Sequence, residues 1–315
     1  NTTSCSFTVT VTDNQAPAFT VPANDTICRF LNCTYDIDPS ITGDVTDEWD
    51  NCAAGIEAYV FDDDFTNLID CDNFGYIIRT WRLEDGNGNY TDHEQLIYIE
   101  PVPKVILVPQ ADTLCNNETT NISITSVTNS IYPVRFRYTI KPDYPDSVNI
   151  TYNGPQTGLV ITDIIADNIE NISWEAQRVL FIVTPYSVDG SDAERCSGIN
   201  DTTVVWVEPT PEIRVSADTV VCNSEPTTFT IANPNNPIRG DWAYNLTVTA
   251  DPQIDGERAG GRIEDPGTWT ETLTNNDTIV HKVVYHFEPV IAPDDAGSEC
   301  GSGRDTTITI WVNPT

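Results

Sequence analysis

Methionine is absent from these 315 residues, and lysine (Lys104, Lys141, Lys282) and histidine (His93, His281, His286) occur three times each. With no initiator Met and no leader-like apolar start, the sequence reads as a mature or excised piece of a longer polypeptide. Basic charge is equally scarce: 15 Lys plus Arg face 48 Asp plus Glu, a formal net charge of −33. A phosphate backbone requires a basic face, so nucleic acid is excluded as a partner, and an anionic membrane surface is disfavoured for the same reason. No apolar run reaches the roughly 18 residues that a membrane-spanning helix needs. Catalytic signatures are missing as well. There is no zincin motif, no nucleophile elbow and no P-loop, and Asp85-Gly86-Asn87-Gly88-Asn89 is turn chemistry, not a phosphate cradle. With so many carboxylates, an acid pair at glycosidase spacing carries no information. The expectation is a protein that is not an enzyme.

What is present can build cores: 39% of residues are hydrophobic, with seven Trp and twelve Tyr. The apolar residues alternate at period two in short runs broken by turn residues, which predicts an all-β fold of tandem immunoglobulin-like sandwiches. Strands are expected at Val134–Ile140, Gly158–Ile165, Val179–Thr184 and Thr203–Val207, and again at Trp242–Thr249, Thr268–Thr274, Val280–Phe287 and Thr306–Val312. The two sets are copies. Val179-Leu180-Phe181 corresponds to Val283-Val284-Tyr285, Cys196 to Cys300, and Trp206-Val207-Glu208-Pro209-Thr210 to Trp311-Val312-Asn313-Pro314-Thr315. Self-similarity at a fixed period marks a repeat architecture. The predicted domains are 14–103, 104–210 and 211–315, the last two sharing one pattern. Residues 1–13 read as the last strand of a preceding or neighbouring domain, because Ser6–Thr12 alternates and then breaks at Asp13-Asn14-Gln15-Ala16-Pro17.

Nine cysteines, with no CxxC pairs and no His beside them, fit disulfides in an oxidising compartment better than a zinc site. One pair per copy is the economical assignment, Cys115–Cys196 and Cys222–Cys300, with Cys196–Cys222 across the junction as the alternative. Cys52 and Cys71 are further disulfide candidates, the pairing of Cys28 and Cys33 stays open, and Cys5 is left for an inter-domain or inter-subunit partner. Eleven Asn-x-Ser/Thr acceptors point to a glycosylated exterior: Asn1, Asn24, Asn32, Asn89, Asn117, Asn121, Asn149, Asn171, Asn200, Asn245 and Asn276.

The stretch from Ser4-Cys5-Ser6-Phe7 to Ala16-Pro17 resembles the junction between consecutive hyalin-repeat (HYR) domains. Ile41-Thr42-Gly43, Asp50-Asn51-Cys52 and Arg79-Thr80-Trp81 through Asp85-Gly86-Asn87-Gly88-Asn89 resemble the related repeats of giant Bacteroidetes surface proteins. Residues 104–315 resemble the PKD-like immunoglobulin-fold repeats that accompany them, through Cys196-Ser197-Gly198 and the closing Val-Glu-Pro and Val-Asn-Pro. Val21 stands where the HYR pattern has a cysteine, so the first domain's disulfides depart from it. The lineage implies O-glycosylation at Asp-Ser/Thr, with acceptors Thr26, Thr113, Ser147, Thr202, Thr219, Thr278 and Thr306.

Calcium is the one ligand the residues suggest. Asp and Asn oxygens suit hard cations, and the Asp13–Phe19 junction resembles the calcium-holding linker of cadherin repeats. In such a sandwich the loop between the last two strands sits at the end of the N-terminal linker, which would bring Asp85, Asn87 and Asn89 near Asp13 and Asn14. Asp62-Asp63-Asp64 reads as a separate acidic loop.

The functional expectation is a structural repeat unit of an extracellular fibre, filament or stalk-like adhesin. It would associate with itself or with tandem copies, possess covalent glycans, and donate residues 1–12 as a strand. The alternative is a carbohydrate- or receptor-binding module presenting Trp49, Trp242 or Trp269.

Overall fold

The computed structural model describes residues 3–142, 150–154, 156–294, 298–301 and 303–315. The fold is all-β. Among the described residues the one helical element is the turn Pro39–Thr42, which starts on a proline and is capped by the Asp38 carboxylate accepting from Ser40 N. No helix of the described residues is long and apolar enough to cross a membrane.

The chain divides into two compact units. One comprises Asn1–Val105, Ser126–Phe136 and Thr184–Asn200; the other comprises Ile106–Thr125, Arg137–Val183 and Asp201–Thr315. In the first, a four-stranded sheet runs in the order Asp25–Cys28, Tyr90–Glu100, Gly75–Glu84, Tyr59–Asp64, with the first pair parallel and the others antiparallel. Gly75–Glu84 buries every second residue, so Ile77, Arg79, Trp81 and Leu83 form one inward row. Arg79 is tolerated there because its guanidinium forks onto Asp63 at 2.8 and 3.0 Å and donates to Thr42 Oγ1 at 3.1 Å. Trp81 Nε1 donates to buried Gln95 Oε1 at 3.1 Å. Ala18–Thr20 pairs with Thr46–Trp49, and Phe19 and Val45 complete the core over Trp81 and Leu83.

In the second unit, Asp201–Val207 pairs antiparallel with residues 177–183 and parallel with Thr113–Leu114. Ile106–Pro109, Ile122–Thr125 and Ile164–Ile165 form a separate sheet. The last hundred residues repeat the plan: a sheet of Val220–Val221, Thr306–Val312, His281–Pro293, Gly240–Ala250 and Gly261–Ile263, and another of Arg214–Ser216, Pro226–Ala232 and Gly267–Thr272. Their core is aromatic, with Phe229 against Tyr285 and Tyr244 against Phe287 at 4.7 and 5.7 Å between ring centroids. One asparagine per copy ties its own turn to the last strand. Asn171 Nδ2 donates to Glu175 O and Val207 O, and Asn275 Nδ2 donates to Ile279 O and Val312 O.

Several expectations are corrected here. The expected strand Gly158–Ile165 is reduced to Ile164–Ile165, because Gly158 (φ 79°) and Thr162 (φ 83°) adopt left-handed backbone that breaks an extended run. Ser6–Thr12, expected to pair with a preceding or neighbouring domain, pairs with no sheet of this chain among the described residues, and Phe7 (88%), Val9 (68%) and Val11 (82%) are exposed. Alternation makes a strand only where an edge supplies hydrogen bonds.

The disulfides are Cys28–Cys196, Cys33–Cys71 and Cys115–Cys300, and Cys5, Cys52 and Cys222 are free and exposed. Neither within-copy pairing, Cys115–Cys196 or Cys222–Cys300, is made, nor is Cys196–Cys222; Cys71 bonds Cys33, leaving Cys52 out. A bridge needs Cα atoms about 4.4–6.8 Å apart. That distance is met between one repeat's early cysteine and another repeat's late cysteine, at 5.5 Å for Cys28–Cys196 and 5.3 Å for Cys115–Cys300.

Two glycan candidates fail by burial. Asn171 and Thr113 are each 1% exposed, and the Asn171 amide is committed to two carbonyls. Asn1, Ser147 and Asn149 lie outside the described residues.

Candidate functional site

Of the five residues expected to gather around a cation, the structure brings together Asp13 and Asp85 and adds Asp50. One carboxylate oxygen from each lies within 4.8 Å of the other two. Asp50 and Asp85 are buried, at 7% and 6% exposure. Each carboxylate is aimed by its own turn. Asp13 Oδ1 accepts from Gln15 N, Asp50 Oδ1 from Cys52 N and Ala53 N, and Asp85 Oδ1 from Asn87 N and Asn89 N. Asp13 Oδ2 and Asp50 Oδ2 are buried with no hydrogen-bond partner.

Asn89 holds the loops together. Its Nδ2 donates to Asp85 Oδ2 at 2.5 Å and to the Asp13 carbonyl at 3.3 Å. Asn87 contributes only its backbone N–H, and both it and Asn14 are exposed. Burial pushes the Asp85 carboxyl up, but hydrogen bonds from Asn89, Asn87 and Gly88 outweigh it and leave it below its ordinary value. Desolvation and the neighbouring Asp13 carboxylate push the Cys52 thiol up, which keeps it protonated and unlike a metal-binding thiolate.

Three carboxylates this close repel by roughly 3–4 kcal/mol per pair at an effective dielectric of about 20. Calcium–oxygen distances of about 2.3–2.6 Å let ligands across one ion stand up to about 5 Å apart, so the donor set fits that ion. The sequence signal for Asp50 is the Asp50-Asn51-Cys52 turn, which does not by itself point to the other two carboxylates. Among the described residues a second group, His286 with Glu288 and Asp305, is more exposed, with His286 Nε2 3.5 Å from a carboxylate oxygen of each.

The tryptophans proposed as a binding platform separate. Trp242 is buried and donates Nε1 to Glu212 O, Trp269 stacks on Phe229 at 3.9 Å, and only Trp49 is exposed.

The disulfides mark two joints built on one backbone scheme, each within a single unit. In the first, Cys28–Cys196 lies beside Pro103, whose carbonyl accepts from Ile199 N at 3.1 Å. Buried Glu100 accepts from Ser130 Oγ and Ile131 N. In the second, Cys115–Cys300 lies beside Pro211, whose carbonyl accepts from Arg304 N at 2.9 Å. Buried Glu208 accepts from Arg239 N at 2.6 Å. The first domain therefore carries the same Asp-Thr-x-Cys pattern, Asp25–Cys28, as Asp112–Cys115, while the last copy has one residue more in Asp218-Thr219-Val220-Val221-Cys222.

No curated protein matches the chain in sequence. Solved structures match at low similarity. FdeC, an Escherichia coli adhesin, is 11% identical over 98% of this chain and 87% of its own, with a TM-score of 0.37. Human CDH23 EC21-23 is 10% identical over 95% and 100%, also at 0.37. Protocadherin Gamma B2 extracellular cadherin domains 1-5 are 10% identical over 96% of this chain at 0.32, and the chain spans 60% of that structure. At such TM-scores these likenesses carry no argument. The family comparison is more specific: residues 112–211 match the PKD-like domain.

Proposed function

We propose that the chain is a non-enzymatic structural repeat unit of an extracellular fibre, filament or stalk-like adhesin. The observation that carries this reading is the pair of joints, in which a disulfide, a proline carbonyl and a buried glutamate recur at both junctions. Disulfides of this kind belong to an oxidising compartment. The net charge of −33 and the surface sequons suit a solvated exterior. Residues 1–12 retain an exposed apolar face, Phe7, Val9 and Val11, that suits addition to a sheet edge of another copy or a like domain. Negative-stain electron microscopy of the natively isolated protein tests the reading. Regular filaments or beaded strands support it, and isolated particles of single-chain mass would overturn it.

The Asp13, Asp50 and Asp85 carboxylates are the proposed calcium site of this unit, stiffening the start of the first domain. A single ion present at a hundredfold excess over its Kd stabilises by about 2.7 kcal/mol. Calcium is expected to raise the melting temperature over that in EDTA, with Asp50→Asn removing the difference. An identical melting curve in calcium and EDTA would eliminate the site.

A further inference from the structure

Three short strands of this chain occupy one position in three repeats, and each leads into a cysteine. Asp25–Cys28 runs parallel to the last strand of its repeat, with Ile27 opposite Ile99 and Cys28 opposite Glu100. Thr113–Leu114 runs parallel to Trp206–Val207, and Val220–Val221 to Trp311–Val312, with Cys115 and Cys222 following. Two of these cysteines are bonded to the late cysteine of another repeat, Cys28 to Cys196 and Cys115 to Cys300. The third, Cys222, is free and exposed.

The frame around Cys222 is already that of a joint. Next to Cys115, Asn116 Nδ2 donates to Thr210 Oγ1 at 2.7 Å while Asn116 Oδ1 accepts from Asn171 N at 2.7 Å. Next to Cys222, Asn223 Nδ2 donates to Thr315 Oγ1 at 2.8 Å while Asn223 Oδ1 accepts from Asn275 N at 2.9 Å. Leu114 O accepts from Glu208 N, as Val221 O accepts from Asn313 N.

The surfaces differ in cover and at two side chains, Val220 standing where the other copy has Thr113 and Asn313 where it has Glu208. Thr113 is 1% exposed, and its equivalent Val220 is 60% exposed. Trp206 is half-buried under the Arg239 guanidinium, 4.8 Å from the ring centroid, whereas Trp311 has only the Lys282 ammonium 5.7 Å from its ring centroid and stays exposed. Glu208 is fully buried, and Asn313 only partly. An apolar residue and an indole beside a free thiol, at a position covered in the equivalent repeat, form a surface suited to the same kind of cover.

We propose that Cys222 is the acceptor of a third joint, forming a disulfide with a further module of this kind. That module would present a cysteine followed within three residues by glycine, as Cys196-Ser197-Gly198 and Cys300-Gly301-Ser302-Gly303 do. The S–S bond forms as both thiols lose their protons and one electron each. The two electrons and two protons pass by thiol–disulfide exchange to a disulfide-bearing oxidase of the thioredoxin-like class, whose disulfide becomes two thiols. The inference deepens the repeat-unit reading. Its test is separate, because microscopy reads the assembled particle and the experiment below reads one sulfur.

The protein is isolated from the cells that make it in N-ethylmaleimide, digested without reduction, and mapped by mass spectrometry. The expected result is loss of maleimide label at Cys222 and a linked peptide bearing the Cys-x-Gly or Cys-x-x-Gly pattern. A drop in mass on reduction before digestion places the partner module on a second chain, and an unchanged mass places it in the same one. A labelled Cys222, or one bonded to Cys5, Cys52 or a small thiol, would overturn the proposal.

Discussion

The two joints share a backbone scheme and differ in the side chains that clamp it. At Cys28–Cys196 the Arg195 guanidinium donates to Thr26 O and lies 4.8 Å from the Tyr132 ring centroid. At Cys115–Cys300 the cations come from other positions: Arg239 lies over Trp206, Arg214 over Trp174, and Arg304 pairs with Glu212 at 3.1 Å. The cysteine is followed by buried Arg29 in one and by Asn116, bonded to Thr210, in the other. What recurs is what geometry makes hard to replace: a covalent bond of fixed span, a carbonyl lacking a strand partner, and a buried carboxylate that must be hydrogen-bonded. The cation–aromatic contacts are interchangeable because their geometry is loose.

The comparison breaks first at the disulfides. Cys28–Cys196 and Cys115–Cys300 close separations of 168 and 185 residues, against 38 for Cys33–Cys71. Loop-closure entropy puts the long loops at about 5 kcal/mol and the short one at about 4 kcal/mol, with measured losses usually about 2–5 kcal/mol. Urea unfolding of C28S/C196S and C115S/C300S should show similar large losses, both exceeding that of C33S/C71S. If only one long pair mattered, the joints would not be equivalent.

Glycine gives the next effect. A Cβ on Gly198 would stand 2.0 Å from Pro103 O, and one on Gly303 would stand 2.5 Å from Pro289 O and 3.0 Å from Pro211 O. Gly198→Ala and Gly303→Ala should each cost about 1–3 kcal/mol through forced backbone movement. Gly198→Ala should be the worse, because its contact is with backbone at the shorter distance.

The smallest effect separates the two copies by pH. His281 sits between Asp277, 3.0 Å from Nε2, and Asp251, 3.3 Å from Nδ1; at the same position in the other copy, Gln177 donates to Ser173. The Asp277 hydrogen bond, helped by Asp251 and opposed by desolvation, raises the imidazole above its ordinary 6.5. A raised His contributes stability that is full below the unfolded pKa and lost as pH rises through the folded one. NMR titration should place His281 above 6.5, and Asp277→Asn should bring it down; an unmoved titration would show that Asp277 is not the cause.

The alternation of Val179–Thr184 and Thr306–Val312 was legible because burial on one face writes itself into every second residue. The kinship of Val179-Leu180-Phe181 with Val283-Val284-Tyr285 was legible for a different reason, self-similarity at a fixed offset. Cysteine pairing was not, since sequence shows how many thiols a repeat owns but not which repeat's loop lies across from each. Two of the three carboxylates in the acidic cluster were readable: Asp13 and Asp85 sit in recognisable turns, whereas Asp50 joins them only through the fold. Ser6–Thr12 carried a strand's pattern without a strand's partner.

The two long disulfides interlock along the chain, because Cys115 falls inside the loop closed by Cys28 and Cys196, and Cys196 falls inside the loop closed by Cys115 and Cys300. Every peptide bond from Cys28 to Cys300 is therefore spanned by at least one of them, and every bond from Cys115 to Cys196 by both. A protease that cuts once anywhere in that stretch releases no fragment. In an environment rich in proteases, damage to a surface loop leaves the chain in one piece until a reductant or a further cut arrives.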